Sequence, residues 1–432
     1  MRSSRVGFHL LGATLSLALV VTGACVGDST VIPPDAGDAS VSDVGVDVTN
    51  DATGDVVDAP NEAAPPLCGA PGEMCCMAPL APCNDGLSCS TSTPAKCLVS
   101  DAWAVGTYST VTSSQFVTQL VIAHYDGTAW TLGVPVNTDF GIDSYEPIDI
   151  YANGTTVLVI ANENDIGSEY WWDGVAWQVC QTGNSCVGPN PSSTSLWALT
   201  SVTNSGSVDY WIAGTSLMDR CPSGATSCQS VTTGITGSWG TGNFAGQTSQ
   251  DLWYSVFDHV LHYNGTTWSA QTVADARTIA QVDVNDDLWV GDQQLHNYNG
   301  STWSSAYLVD GAQTPGLIFS ISGSAANSVF ATGNTNNAGS FMAYWNGTTW
   351  SMQTLPTGIS GVQKVWAPSP IEAFTVGAKA PSANSGVIAH WNGTAWTAMP
   401  SPTVSYPGET QTGGLTWISV HGRARPRWTL SP

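Results

Sequence analysis

Three of the seven histidines, the 19 tryptophans and the 11 cysteines are the side chains most able to do chemistry in this 432-residue chain. His124, His262 and His390 each stand two residues before an Asp-Gly or Asn-Gly, in the same slot of a recurring cassette. Imidazole is a common ligand for zinc, which it binds at about 2.0–2.1 Å. Copies of one slot in separate repeats fall on a ring far wider than that, so the sequence predicts structural histidines and no metal. DVNDD at 283–287 and NENDIGSE at 162–169 have some of the oxygens of a calcium loop, but Ile166 stands where a third ligand belongs. Both read as polar turns between strands. No GxSxG, HExxH or phosphate-cradling glycine loop occurs. Neither a catalytic residue nor a cofactor is expected.

Charge narrows the classes further. The formal net charge is -23, and the segment from Val26 to Leu67 has nine carboxylates and no Lys or Arg. A basic groove for nucleic acid has no residues to be built from. That segment also lacks aromatic residues and an apolar period, so it reads as an acidic, disordered linker over 25–67. Ahead of it, Arg2 and Arg5 precede an apolar run from Val6 to Val21 and then Thr22-Gly23-Ala24-Cys25, which reads as a signal peptide over 1–24. Its apolar core is too short for a comfortable membrane span.

The cleavage site resembles a bacterial lipobox, which implies a diacylglyceryl group on Cys25; Thr22 stands where that motif usually has Leu. The rival is ordinary cleavage after Ala24, giving a secreted or periplasmic form. Giving one of the 11 cysteines to lipid leaves an even ten for an oxidising compartment. By resemblance to bacterial sorting rules, Val26 after the cysteine directs the chain to the outer membrane or cell surface.

Six of those cysteines, Cys68, Cys75, Cys76, Cys83, Cys89 and Cys97, fall within residues 68–98. A segment that short cannot hold a core, so it reads as a small disulfide-rich module. Its connectivity is open among 15 pairings. Zinc is disfavoured, because the module contains no CxxC pair and no histidine.

The elements that must position everything else come from the cassette. It returns as HYDGTAW at 124–130, WWDGVAW at 171–177, HYNGTTW at 262–268, NYNGSTW at 297–303, YWNGTTW at 344–350 and HWNGTAW at 390–396. Asp-Gly and Asn-Gly are the preferred dipeptides of two-residue type I′ hairpins. On that register Tyr125 would oppose Thr128, and Ala123 would oppose Trp130. A second signature precedes each hairpin, as in DAWAVG from Asp101, DLWYSV from Asp251 and EAFTVG from Glu372. Further strands lie upstream, such as SLWALTSV, RTIAQVDV, GLIFSISG and QKVWAPSP, making a four-stranded unit.

Turn positions 126, 173, 264, 299, 346 and 392 leave one double step. The missing unit is DYWIAGTSLMDRCPSGATSCQSV, where a Cys221–Cys228 disulfide would replace the aromatic pair. Cys180 and Cys186 are expected to bridge locally in the same way, with cross-pairing between neighbouring blades as the alternative. Seven units of this size predict an all-β, seven-bladed propeller over 99–432. The first unit lacks its innermost strand, and LTWISVHG from Leu415 is an orphan that should complete blade one.

The cassette resembles kelch-type repeats, the Asp-box of sialidase-like propellers, and the Trp-Asn-Gly-Thr-x-Trp repeats of exported bacterial propellers. It is one residue shorter than the Asp-box between Asp and Trp, and it lacks the second kelch glycine. A sialidase-like reaction needs several arginines, yet the propeller body offers only Arg220 and Arg277 before the C-terminal RARPR tail. The resemblance therefore implies fold more than activity. Asn153, Asn264, Asn299, Asn346 and Asn392 each begin an Asn-Gly-Thr or Asn-Gly-Ser glycosylation pattern, which the turn itself explains.

The first functional reading is a non-catalytic surface lipoprotein, monomeric, whose propeller binds a protein or envelope component. It touches the membrane through its lipid alone. The second is a lectin-like propeller in which Trp197, Trp239, Trp366 and Trp417, all on expected innermost strands, face a glycan. An extracellular hydrolase built on scattered Asp and Glu ranks third.

Overall fold

Strand follows strand with no helix among the described residues, because the apolar pattern has the period of a sheet throughout. The computed structural model describes residues 87–422, apart from 91–94, 114–115, 134–144, 154–155, 164–165, 173–174, 176, 182–195, 205–206, 215–216, 223–227, 236–241, 275, 283–286, 305–314, 336–338 and 380–385. Cys25, Cys68, Cys75, Cys76, Cys83, Cys186 and Trp239 lie outside the described residues, as do the expected leader and linker. Cys89 and Cys97 are both disulfide-bonded and face each other in a short ribbon, Leu87–Cys89 against Cys97–Val99.

The remaining strands form seven blades. In order of distance from the axis, blade two is Tyr145–Asn153, Thr156–Glu163, Ile166–Trp172 and Trp177–Gln181. Blade three is Leu196–Asn204, Ser207–Gly214, Met218–Pro222 and Gln229–Val231; blade four is Phe244–Thr248, Asp251–Val256, His259–Tyr263 and Trp268–Thr272. Blade five has Thr278–Gln281, Asp287–Gly291 and Leu295–Asn299, with a single Tyr298–Trp303 bridge in place of a fourth strand. Blade six is Pro315–Ala325, Ser328–Thr335, Gly339–Trp345 and Trp350–Met352; blade seven is Ile359–Ser369, Glu372–Lys379, Gly386–Trp391 and Trp396–Met399. Blade one joins the two ends of the chain. Its inner strand, Glu409–Gly422, pairs antiparallel with Ala102–Thr112, followed by Phe116–Tyr125 and Trp130–Leu132.

The hairpin register differs from the expected one. Tyr125 pairs directly with Trp130, Tyr263 with Trp268, and Trp391 with Trp396, leaving a four-residue loop. Only the glycine of each described loop has positive φ, about +92° at Gly127 and Gly265. The Asp or Asn instead folds its side chain over the loop. Asp126 Oδ1 accepts the N–H groups of Thr128 and Ala129 at 2.9 Å each, and the Thr128 hydroxyl at 2.7 Å. The dipeptide is thus selected by an Asx turn, whose side chain supplies a loop hydrogen bond the backbone would otherwise make.

Direct pairing stacks the two aromatics, with centroids 5.3 Å apart for Tyr125–Trp130 and 5.2 Å for Tyr263–Trp268. Each pair then receives one aromatic from the second strand of the preceding blade. Trp103 of blade one meets Trp172 and Trp177, and Trp211 of blade three meets Tyr263 and Trp268. Trp253 meets Tyr298, Trp289 meets Trp345 and Trp350, and Phe330 meets Trp391 and Trp396. Phe374 of blade seven meets Tyr125 and Trp130, completing the circuit. Such contacts contribute about 0.5–1.5 kcal/mol each beyond area burial. Between blades two and three the clamp is different. Leu158 packs in one cluster with the Cys221–Cys228 disulfide, the bond expected there from the sequence.

Candidate functional site

Apart from a parallel Thr203–Thr248 bridge between the inner strands of blades three and four, an inner strand hydrogen-bonds a neighbouring strand on one side only, so open edges border the axis. Much of that edge is capped by side chains of the blade before it. Asn162 of blade two both accepts from the Leu196 N–H at 2.8 Å and donates to its carbonyl at 3.0 Å. The Tyr151 hydroxyl donates to Ser201 O, and Ser322 Oγ of blade six accepts from Ala367 N–H of blade seven at 3.0 Å. His421, on the closing strand, accepts the Ala152 N–H on Nδ1 at 3.4 Å, which leaves its proton on Nε2.

All seven inner strands line a central cavity of about 180 Å³. Its charged lining residues are Asp149, Lys364 and, when protonated, His421. Asp149 belongs to blade two and Lys364 to blade seven, so their ion pair spans the inner strand of blade one. That strand contributes Ser419, whose hydroxyl donates to the same carboxylate oxygen at 2.6 Å; the Ile150 N–H donates to it at 3.0 Å. Beside the pair, Tyr151 stacks on His421 at 4.1 Å, and His421 lies 5.4 Å from Trp366. The cavity offers a fixed ion pair next to an aromatic run, suited to holding a small polar group.

The predicted ligand-facing tryptophans do not act as a set. Trp366 lines the cavity but is 7 % exposed and belongs to the core of blades seven and one. Trp197 is half-buried on the inner strand of blade three and does not line the cavity. Trp417 corrects the expectation: it is fully buried, and its indole N–H donates to Ser401 Oγ at 2.9 Å. Its position on the closing strand turns it into the blade interface and away from the axis. Cys180 lies on the outermost strand of blade two.

The histidines are kept apart as expected, one in each of three blades. His124 hydrogen-bonds Asp101 at 3.2 Å, His262 bonds Asp251 at 3.0 Å, and His390 bonds Glu372 at 3.3 Å. The carboxylates also reach the next unit. Asp251 accepts from Gln281 Nε2 of blade five at 2.8 Å, and Glu372 accepts from the Val99 N–H at 2.7 Å. No group of three or more His, Cys, Asp or Glu side chains with metal-holding geometry occurs among the described residues.

Sequence reasoning missed Asp149, Tyr151, Lys364 and His421. One signal was available: the chain has only three lysines, and Lys364 stands inside a predicted innermost strand.

No protein-family model matches this sequence, and no curated protein matches it. Solved propellers do. Ycf48 from Cyanidioschyzon merolae is 12 % identical, with 66 % of this chain and 96 % of that chain covered and a TM-score of 0.41. The BP39L lectin from Burkholderia pseudomallei is 13 % identical, with 65 % and 92 % covered and a TM-score of 0.45. The six-bladed fungal lectin from Aleuria aurantia is 12 % identical, with 62 % and 97 % covered and a TM-score of 0.40. These likenesses name no ligand for this chain.

Proposed function

We propose that this chain is a non-catalytic, exported binding scaffold, anchored by a lipid on Cys25 and held off the membrane by its acidic linker, whose propeller docks a protein of the cell envelope. The observation that carries this reading is Phe257. It sits in the turn between the second and third strands of blade four with φ +47°, the one non-glycine residue with positive φ among the described residues, and it is 48 % exposed. A bulky residue in that conformation costs about 1–3 kcal/mol. Packing offsets that cost only in part, since about half of the residue stays exposed to water.

The up-and-down order of strands puts all second-to-third-strand turns on one rim. Phe116 of blade one, 65 % exposed, and Leu217 of blade three are at that same rim. Apolar side chains left exposed on one rim offer surface that a partner can bury. The non-catalytic part of the reading is supported by the cavity, whose carboxylate Asp149 is already engaged by Lys364 and Ser419.

A photo-crosslinking residue placed at Phe257, compared with one at Val175 on the opposite rim, tests the docking face. Crosslinks to an envelope protein from position 257 but not from 175 are expected, with Phe257→Ser weakening capture about tenfold, the equivalent of ~1.4 kcal/mol. Equal yields from both positions overturn the reading. So does a sugar-specific signal on a glycan array that Phe257→Ser leaves intact, which would favour the carbohydrate-binding alternative.

The anchor has its own measurement. Mass analysis of the mature N-terminus is expected to find diacylglyceryl on the Cys25 sulfur, and an unmodified thiol or cleavage elsewhere defeats the lipid anchor.

A further inference from the structure

The Asx turns carry a reactive arrangement that their structural role does not use. Asn264, Asn299, Asn346 and Asn392 are all exposed, and each is followed by glycine. In each, Oδ1 accepts several hydrogen bonds at once. Asn264 receives the Thr266 N–H at 3.0 Å, the Thr266 hydroxyl at 2.8 Å and the Thr267 N–H at 2.9 Å. Asn346 receives the equivalent three from Thr348 and Thr349 at 2.9 Å each. Asn299 and Asn392 are held in the same way by Ser301 and Thr302, and by Thr394 and Ala395.

Three donors converging on one carbonyl oxygen are the arrangement that stabilises a developing oxyanion. They polarise the side-chain carbonyl carbon, Cγ. The next residue supplies the nucleophile. The backbone N–H groups of Gly265, Gly300, Gly347 and Gly393 take part in no hydrogen bond among the described residues, and glycine puts no Cβ in the way.

We propose that Asn264, Asn299, Asn346 and Asn392 are self-modification sites, at which the folded turn promotes conversion of asparagine to aspartate. The glycine nitrogen gives its proton to water or hydroxide and bonds to Cγ, placing negative charge on Oδ1 within the three donors. The Cγ–Nδ2 bond then breaks and ammonia leaves with a proton from solvent, giving a succinimide. Water adds to the ring and reopens it. Because the same three donors hold the Cγ oxygen, water attacks Cγ, the bond from glycine nitrogen to Cγ breaks, and an ordinary aspartate is restored in preference to isoaspartate.

The product is already present in the molecule. Asp126 occupies the equivalent turn of blade one with the same three donors at 2.7–2.9 Å. Those hydrogen bonds, the Thr128 hydroxyl first, hold its carboxyl down at about 2, so the charged form fits the turn. Conversion therefore leaves the blades intact and adds one negative charge per turn to a single rim.

The experiment is incubation of the folded full chain at mildly alkaline pH in ¹⁸O-water, followed by peptide mapping with fragmentation that separates aspartate from isoaspartate. A denatured sample serves as the reference. Expected are ¹⁸O-labelled aspartate at the four asparagines, aspartate exceeding isoaspartate in the folded sample, and the reverse preference in the denatured one. Thr266→Ala should slow conversion at Asn264 by about three- to tenfold, below the hundredfold of a buried oxyanion donor because the turn is exposed, with the other three turns as internal controls. The proposal is overturned if the folded chain converts more slowly than the denatured one, if isoaspartate predominates in both, or if Thr266→Ala leaves the rate at Asn264 unchanged.

Discussion

Trp417→Ala lowers the unfolding free energy by about 3–5 kcal/mol, the range for deleting a large, fully buried aromatic. The effect is expected to be global, because Trp417 is on the one strand that joins the two ends of the ring. The strand Glu409–Gly422 pairs with Ala102–Thr112 along its length, while Trp417 is also packed in the cluster holding Phe374 and Ile388 of blade seven. Gly386 of blade seven shows how close that packing is. A Cβ there would come within 2.6 Å of the Trp417 ring. Removing the indole leaves a cavity that backbone on both sides prevents from collapsing, and it strips the Ser401 hydroxyl of its partner. Trp417→Phe keeps most of the volume and should cost about half as much. Urea denaturation followed by tryptophan fluorescence and circular dichroism measures both. A loss below about 1 kcal/mol for the alanine variant, or a change confined to ligand capture, would show that the strand does not hold the ring.

The same region shows why the fold was legible in the sequence and the site was not. Ring closure needed only a count of strands: blade one lacked its inner strand and Leu415–Gly422 had no partner. The missing aromatic pair in blade three was readable for a similar reason. Where a clamp recurs, a substitute must do the clamping, and Cys221 and Cys228 were the residues in that slot. The hairpin register was misjudged because Asn-Gly has two uses, positive φ at both residues or an Asx turn before one glycine. Thr or Ser two residues after the Asn was the available clue, since only the Asx turn gives its hydroxyl a partner.

The cavity was hidden for a deeper reason. Asp149 and Lys364 are 215 residues apart and meet across a third blade, so no spacing rule joins them. The Trp residues were misleading because composition identifies a large aromatic surface without saying which way it faces. In a propeller the side chains of an inner strand point sideways at neighbouring blades, and what borders the axis is largely backbone edge. That geometry explains why Trp417 is buried, and why hydroxyl, amide and imidazole groups, small signals in a sequence, do the capping at Leu196, Ala152 and Ala367.

Glu169→Leu is expected to stabilise the protein at neutral pH, although it removes an acidic side chain from the same blade interface that the disulfide clamps. Glu169 is in the third strand of blade two, opposite Ile160, with 1 % of its surface exposed. Neither carboxyl oxygen has a hydrogen-bond partner among the described residues. Across the interface lies Asp219 of blade three, also 1 % exposed and opposite Ile212, with its carboxylate held by the Ser230 hydroxyl at 2.9 Å. The surroundings are Leu158, Ile160, Leu196, Ile212 and the Cys221 side of the disulfide. Burial, reinforced by the negative charge of Asp219, raises the Glu169 carboxyl well above its ordinary value of 4.5.

The sign of the pH dependence follows. Below 4.5 the group is protonated in both folded and unfolded chains and costs nothing in protons. As pH rises past that value the unfolded chain ionises while the folded chain holds its proton, so stability falls by about 1.4 kcal/mol per pH unit until the folded group ionises too. Leucine removes both this slope and the uncompensated polar group. The gain at pH 7 should be about 1–4 kcal/mol, the range found when buried ionisable pairs are replaced by well-packed apolar side chains. Glu169→Gln separates the two contributions: it should flatten the slope by one proton yet keep an unsatisfied amide, and so gain less than leucine. Urea midpoints for the three proteins between pH 4 and 8 make the comparison. Equal slopes in all three, or a leucine variant less stable than the parent at pH 7, would mean that Glu169 is ionised and partnered in the folded protein.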